Sequence, residues 1–245
     1  MMRKTYVIVG GAGDIGRATC EQLIAEGKGV IAGVRNPLIL DDEDRVDGVD
    51  YRTVDAEDWE SMEELFAGIG SDDIELVGAA LCVGSILLKP AHLTRIEEFD
   101  SVLSKNLYSA FGLVRSAAKR FSKTGGSIVL VSSGAAQQGL ANHEAISAAK
   151  AGVEGLVRSA AATYASKGVR INCVAPGLVR TNLSERITSN PSSLKMSERM
   201  HALGKIGDPE DVARAVAWLL DDGQSWITGQ VIGVDGGLAK VTPVN

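Results

Sequence analysis

The sequence predicts a single α/β domain, and three observations carry that prediction. Short β-rich runs alternate with helical runs from Thr5 to Val234, with no linker between them. A glycine loop, Gly10-Gly11-Ala12-Gly13-Asp14-Ile15-Gly16, follows the first β-rich run and opens the first helical one. Hydrophobic residues make up 45% of the 245 and charged residues 23%, enough for a full core in an ordinary globular chain.

Taken in order, Thr5 to Val9 is a β-branched run of the kind buried in a sheet. In the loop that follows, Gly11, Gly13 and Gly16 fit G-x-G-x-x-G between a strand and a helix. Such glycines permit a tight turn and let backbone N–H groups approach a pyrophosphate at the positive end of the helix. The helix runs to Glu26, and Gly29 to Val34 is a second strand. An acidic residue for a ribose 2′-OH is expected at its end, but Val34 stands there. Arg35, 19 residues past Gly16, could hold a 2′-phosphate instead, or be a solvated arginine in a turn. NADP is therefore favoured, with NAD as the alternative. Asp41 to Asp47 is an acidic loop without metal-ligand spacing. Val49 to Val54 is a third strand, and Asp55 at its end could accept from an adenine amine or serve as a turn or cap residue.

Trp59 to Phe66 reads as an amphipathic helix and Ile74 to Cys82 as the fourth strand. Ile96 to Phe121 reads as one long helix. It carries Asn106 on an apolar stretch, where an asparagine is either functional or a helix-kinking residue. Ser127 to Val131 is the fifth strand, with Ser132-Ser133 at the carboxyl end where open α/β sheets bind ligands, although serines there also form turns. A helix from about His143 to Ser166 leads to the sixth strand, Val169 to Ala175, and to Pro176-Gly177. Leu178 to Gly204 is polar, broken at Asn190-Pro191-Ser192-Ser193, and reads as a lid or binding loop. Asp208 and Pro209 start a last helix as N-cap and first residue, before a strand from Gln230 to Val234.

A net charge of −6 argues against nucleic acid or an anionic membrane as partner. Cys20, Cys82 and Cys173 sit in apolar runs without metal or disulfide spacing, as small buried hydrophobes of a cytoplasmic protein do. The apolar run after Met1-Met2-Arg3-Lys4 is too short for a signal peptide or a membrane span.

Over nearly its whole length the chain resembles the short-chain dehydrogenase/reductase family. The glycine loop, Asp55, Asn106, Ser133, Lys150, Pro176-Gly177 and Val234-Asp235-Gly236-Gly237 all fall at the family's spacings. The resemblance implies one NAD(P)-binding Rossmann domain over residues 1–245. It would have a seven-stranded parallel sheet with helices on both faces, assembled as a homotetramer or homodimer and acting on a small molecule. By matched position, Ser133 would orient the substrate oxygen, Lys150 would hold the nicotinamide ribose and Asn106 would support a proton-relay water. Pro176, Gly177 and Thr181 would cover the nicotinamide. Three departures stand out: Ile146 where the family has its catalytic tyrosine, Gly78-Ala79-Ala80-Leu81 for the usual Asn-Asn-Ala-Gly beside the cofactor, and, in the glycine loop, Val9 for threonine and Asp14 for the middle glycine.

The missing tyrosine leaves two functional readings. One keeps an NAD(P)-dependent oxidoreductase acting on a carbonyl, alcohol or enoyl substrate and moves the proton donor. His143, seven residues before Lys150, would share a helix face with it and serve as acid or base, unless it is simply an exposed helix-start histidine. The other is a catalytically weak or inactive dinucleotide-binding protein, a sensor or structural subunit. A tyrosine reaching in from elsewhere is a third route, but Tyr108 and Tyr164 are poorly placed for it.

Overall fold

The computed structural model describes residues 2–70 and 74–242, apart from the side chain of Glu43. Seven parallel strands form one sheet: β1 (Arg3–Val9), β2 (Gly29–Val34), β3 (Val49–Thr53), β4 (Ile74–Leu81), β5 (Gly126–Val131), β6 (Val169–Pro176) and β7 (Val231–Val234). Their order is β3-β2-β1-β4-β5-β6-β7, so the winding reverses between β1 and β4 and opens a crevice at the carboxyl ends of those strands.

The central strands are apolar without alternation because both faces are covered. Val7 and Val9 of β1 face one layer and Tyr6 and Ile8 the other. The first layer is made by α2 (Trp59–Ala67), α4 (Ser109–Phe121) and α5 (Glu144–Tyr164), through Leu65, Phe66, Leu113, Phe121, Val153 and Val157. The second is made by α1 (Asp14–Ala25) and α8 (Pro209–Leu220), through Cys20, Leu23, Val212, Val216 and Leu219.

Two stretches depart from the sequence reading. The expected helix from Ile96 to Phe121 is three pieces: α3 (Ile96–Leu103), a π-helical turn at Ser104–Tyr108, and α4. Asn106 is the cause. Its Nδ2 donates to the Val102 carbonyl four residues back at 2.9 Å, competing for an acceptor of the helical ladder. The expected break at Asn190-Pro191 instead starts a helix. Asn190 caps it by accepting from Ser193 N at 3.0 Å, and Pro191 is the first residue of α7 (Pro191–Met200), which follows the short α6 (Glu185–Thr188). Among the described residues no helix is long and apolar enough to cross a membrane.

Candidate active site

Two connected clefts lie at the carboxyl ends of the strands, and Val83 and Gly84 line both. A larger groove lies elsewhere, at the amino-terminal edge of the sheet around Lys4, Ile74 and Gly126, and takes in none of the predicted site residues.

The first cleft is built on the glycine loop. Gly10 N donates to Gly33 O at 2.8 Å, pinning the loop to the end of β2. A Cβ on Gly16 would lie 2.1 Å from Gly10 O, and one on Gly11 would lie 2.6 Å from Ala32 Cβ, so the fold itself requires these two glycines. At Gly13 a Cβ would meet only Gly10 O, at 3.5 Å. The third glycine is therefore not demanded by the fold and keeps the approach to the α1 N-terminus open. No side chain caps that terminus, which leaves its first-turn N–H groups without a side-chain acceptor, as an anion site would require. Gly10, Ala12, Arg35 and Asp55 line the same cleft. Asp55 Oδ1 also accepts from Glu57 N at 3.0 Å, so its turn role is filled as well. The loop thus fits a dinucleotide pyrophosphate, and Arg35 and Asp55 are the charged residues at the ends of β2 and β3 that share its cleft.

The second cleft brings Ser133, Lys150, Asn106, Ile15, Pro176, Gly177 and Thr181 together. Ser133 Oγ accepts from Ala135 N at 3.2 Å, which leaves its proton for a ligand oxygen. Lys150 is 6% exposed, and its Nζ donates to Val131 O at 2.7 Å; burial pushes its pKa down to about 8. Gly84 sits between the polar groups: a Cβ there would lie 2.9 Å from Asn106 Oδ1 and 3.6 Å from Lys150 Nζ.

Beneath Ser133, the neighbouring Ser132 donates to the buried carboxylate of Glu154 at 2.9 Å, and Gln137 Nε2 donates to the same oxygen at 3.1 Å. These bonds fix the end of β5 against α5. Opposite, the Pro176–Leu178 segment rests on the buried His201. Leu178 N donates to its Nε2 at 3.1 Å, and its Nδ1 donates to Ser197 O at 2.7 Å, which ties α7 to the cleft wall.

Two predicted positions change. Ala80 is fully buried in the sheet core with Ile8 and Val129 and does not face the cofactor cleft. The segment that does is Cys82-Val83-Gly84, because β4 ends at Leu81 and the chain opens only after it. His143 is not on the cleft wall. It is the N-cap of α5, with non-helical φ −104° and ψ 13°, so the seven-residue helical spacing to Lys150 does not hold, and its Nδ1 lies 2.8 Å from Ala141 O. Ile146 does line the cleft, 4% exposed, in an apolar cluster with Val102, Phe99 and Leu87. Asp14 reaches to Asn182, accepting from its backbone N–H at 2.9 Å.

Ser85 escapes the sequence reading. Its Oγ accepts from Asn106 Nδ2 at 2.9 Å and its N–H donates to Asn106 Oδ1 at 3.2 Å, so it completes the shell around the asparagine. The one signal for it is a serine directly after Gly84 in the break that follows β4.

Among known proteins, residues 10–239 match the family model described as Enoyl-(Acyl carrier protein) reductase. The chain is 31% identical to the 3-oxoacyl-acyl-carrier-protein reductase of Thermotoga maritima, covering 96% of this chain and 97% of that protein. It is 32% identical to human L-xylulose reductase, over 94% and 95%. Among solved structures, a point variant of ElxO with NADPH bound superposes with a TM-score of 0.89 at 26% identity, over 98% of this chain and all of the other. The fold, the clefts and these likenesses agree: the chain belongs to the short-chain dehydrogenase/reductase family.

Proposed function

We propose that the protein is an NADPH-preferring oxidoreductase that moves a hydride between the nicotinamide and a small carbonyl, alcohol or enoyl substrate. The observation that carries this reading is the meeting of Ser133, Lys150 and Asn106 on one cleft, continuous at Gly84 with the glycine-loop cleft. A bound dinucleotide would supply or accept the hydride there. The glycine loop and α1 N-terminus would hold its pyrophosphate, Arg35 the 2′-phosphate, and Pro176, Gly177 and Thr181 the nicotinamide end.

In reduction the substrate carbon gains the hydride and its oxygen gains a proton. Ser133, whose proton has no acceptor among the described residues, orients that oxygen. The proton comes from Lys150: its ammonium is on the cleft wall, and burial has brought its pKa to about 8, into the range of an acid that can give and regain a proton near neutrality. His143 is disfavoured as donor because it lies off the wall. A second reading, a dinucleotide-binding protein without turnover, is favoured by one observation, the isoleucine on the wall where an acid is expected.

NADPH oxidation against a panel of ketones, quinones and enoyl thioesters separates these readings. Turnover by wild type that persists in His143→Ala and is lost in Lys150→Met supports the lysine. Loss in His143→Ala would return the proton to the histidine. Turnover seen only in Ile146→Tyr, with NADPH bound by all variants, would establish the silent binder.

A further inference from the structure

Asp14 is the first residue of α1, at the positive end of a 12-residue helix. Its carboxylate reaches a segment 168 residues away, where Oδ2 accepts from Asn182 N at 2.9 Å and Oδ1 from Asn182 Nδ2 at 3.3 Å, and the neighbours of both residues, Ile15 and Thr181, line the cleft. Asn182 opens the turn Asn182–Ser184, which Thr181 caps through Ser184 N at 3.2 Å, and Thr181 lines the catalytic cleft. One carboxylate therefore joins the two walls between which a dinucleotide would thread. Negative charge at the helix end and a backbone amide as donor are also what a phosphate oxygen would use there.

We propose that Asp14 is an internal anion that latches the Thr181–Ser184 turn onto the glycine loop in place of a dinucleotide pyrophosphate, and so sets cofactor affinity. The inference rests on the cofactor reading above. Entry of the pyrophosphate brings a second anion to the α1 N-terminus, and the repulsion favours release of Asn182 by the carboxylate. Cofactor binding is then a displacement: the turn is released from Asp14 and re-engaged by the phosphate. Asp14 thus links occupancy of the glycine loop to the position of the whole Leu178–Gly204 segment.

The experiment titrates NADPH, by its fluorescence, into wild type, Asp14→Gly, Asp14→Asn and Asn182→Ala. Asp14→Asn keeps the size and one acceptor for Asn182 N–H but removes the charge, so a folding defect in the glycine variant does not decide the result. The expected outcome is NADPH binding at least tenfold tighter in both Asp14 variants. Without cofactor, trypsin should cut faster at Arg186 and Lys195 in Asp14→Gly and Asn182→Ala, and NADPH should restore protection. Binding that is unchanged or weaker in both Asp14 variants overturns the inference and leaves the cofactor reading standing. Absence of NADPH and NADH binding in every variant overturns the cofactor reading and the inference with it.

Discussion

Replacing Lys150 by methionine should leave the protein at least as stable at pH 7 and make it less stable at pH 10. Burial lowers the lysine from about 10.5 to about 8, so the folded state resists the charge that the unfolded state accepts freely. Between those values the unfolded chain binds more protons than the folded one, and stability from this group rises with pH. Below pH 8 the native state carries the full cost, which for this shift is about 3 kcal/mol. Methionine removes that cost and roughly preserves volume, but it orphans the Val131 carbonyl that Nζ satisfies at 2.7 Å, a penalty of about 1–3 kcal/mol. The variant should therefore range from equal stability to about 2 kcal/mol more stable at pH 7, and fall below wild type by pH 10. The decisive quantity is the change in that difference, a swing of roughly 2–3 kcal/mol from pH 7 to pH 10. Urea unfolding of both proteins across this range measures it. A difference that is independent of pH, or that moves in favour of the methionine variant as pH rises, refutes a desolvated ammonium at position 150.

The same depressed pKa predicts that carbonyl reduction falls as pH rises through about 8, where Lys150 loses the proton to be donated; a pH–rate profile for NADPH oxidation flat to pH 9.5 would contradict it. Arg35→Ala should weaken NADPH binding far more than NADH binding, measured by titration, and equal losses would defeat the 2′-phosphate assignment. In Gly84→Ala the new Cβ lies 2.9 Å from Asn106 Oδ1. That should break the Ser85–Asn106 pair, cost about 1–3 kcal/mol in unfolding experiments and depress turnover. Gly16→Ala, whose Cβ would lie 2.1 Å from Gly10 O, should fail to fold, whereas Gly13→Ala should cost at most about 1 kcal/mol while weakening NADPH.

The sheet is legible because strands buried on both faces announce themselves as unbroken apolar runs, and the first run feeds directly into a glycine loop. The same continuity hides where β4 ends. From Leu76 to Val83 nothing but small and apolar residues occurs, so the strand reads as running to Cys82 when it ends at Leu81, and the segment that the family resemblance puts beside the cofactor at Gly78 to Leu81 lies inside the strand. His143 is displaced by a single residue: as the last non-helical position rather than the first helical one, it points by its own φ and ψ. The π-turn at Asn106 depends on a side-chain amide beating a backbone amide to Val102 O, a competition that apolar periodicity does not record. Asn190-Pro191 carries two meanings, breaker and helix start, and only the residues beyond it decide between them.

Ile146 and the buried Lys150 lie on the wall of the same cleft. Ile146 is held one helical turn before Lys150 by packing on Val102, Phe99 and Leu87, so it presents hydrocarbon to the cleft. The two thiols that interact with the lysine, Cys82 and Cys173, are held neutral by burial, with pKa values of about 12, so neither supplies a counter-charge. Val131 O can bond the ammonium but cannot neutralise it. The buried ammonium thus has a carbonyl but no carboxylate as its hydrogen-bond acceptor, and burial drives its pKa toward the working range of an acid. An isoleucine one turn before the lysine therefore leaves the cleft wall apolar beside the group proposed above to donate the proton.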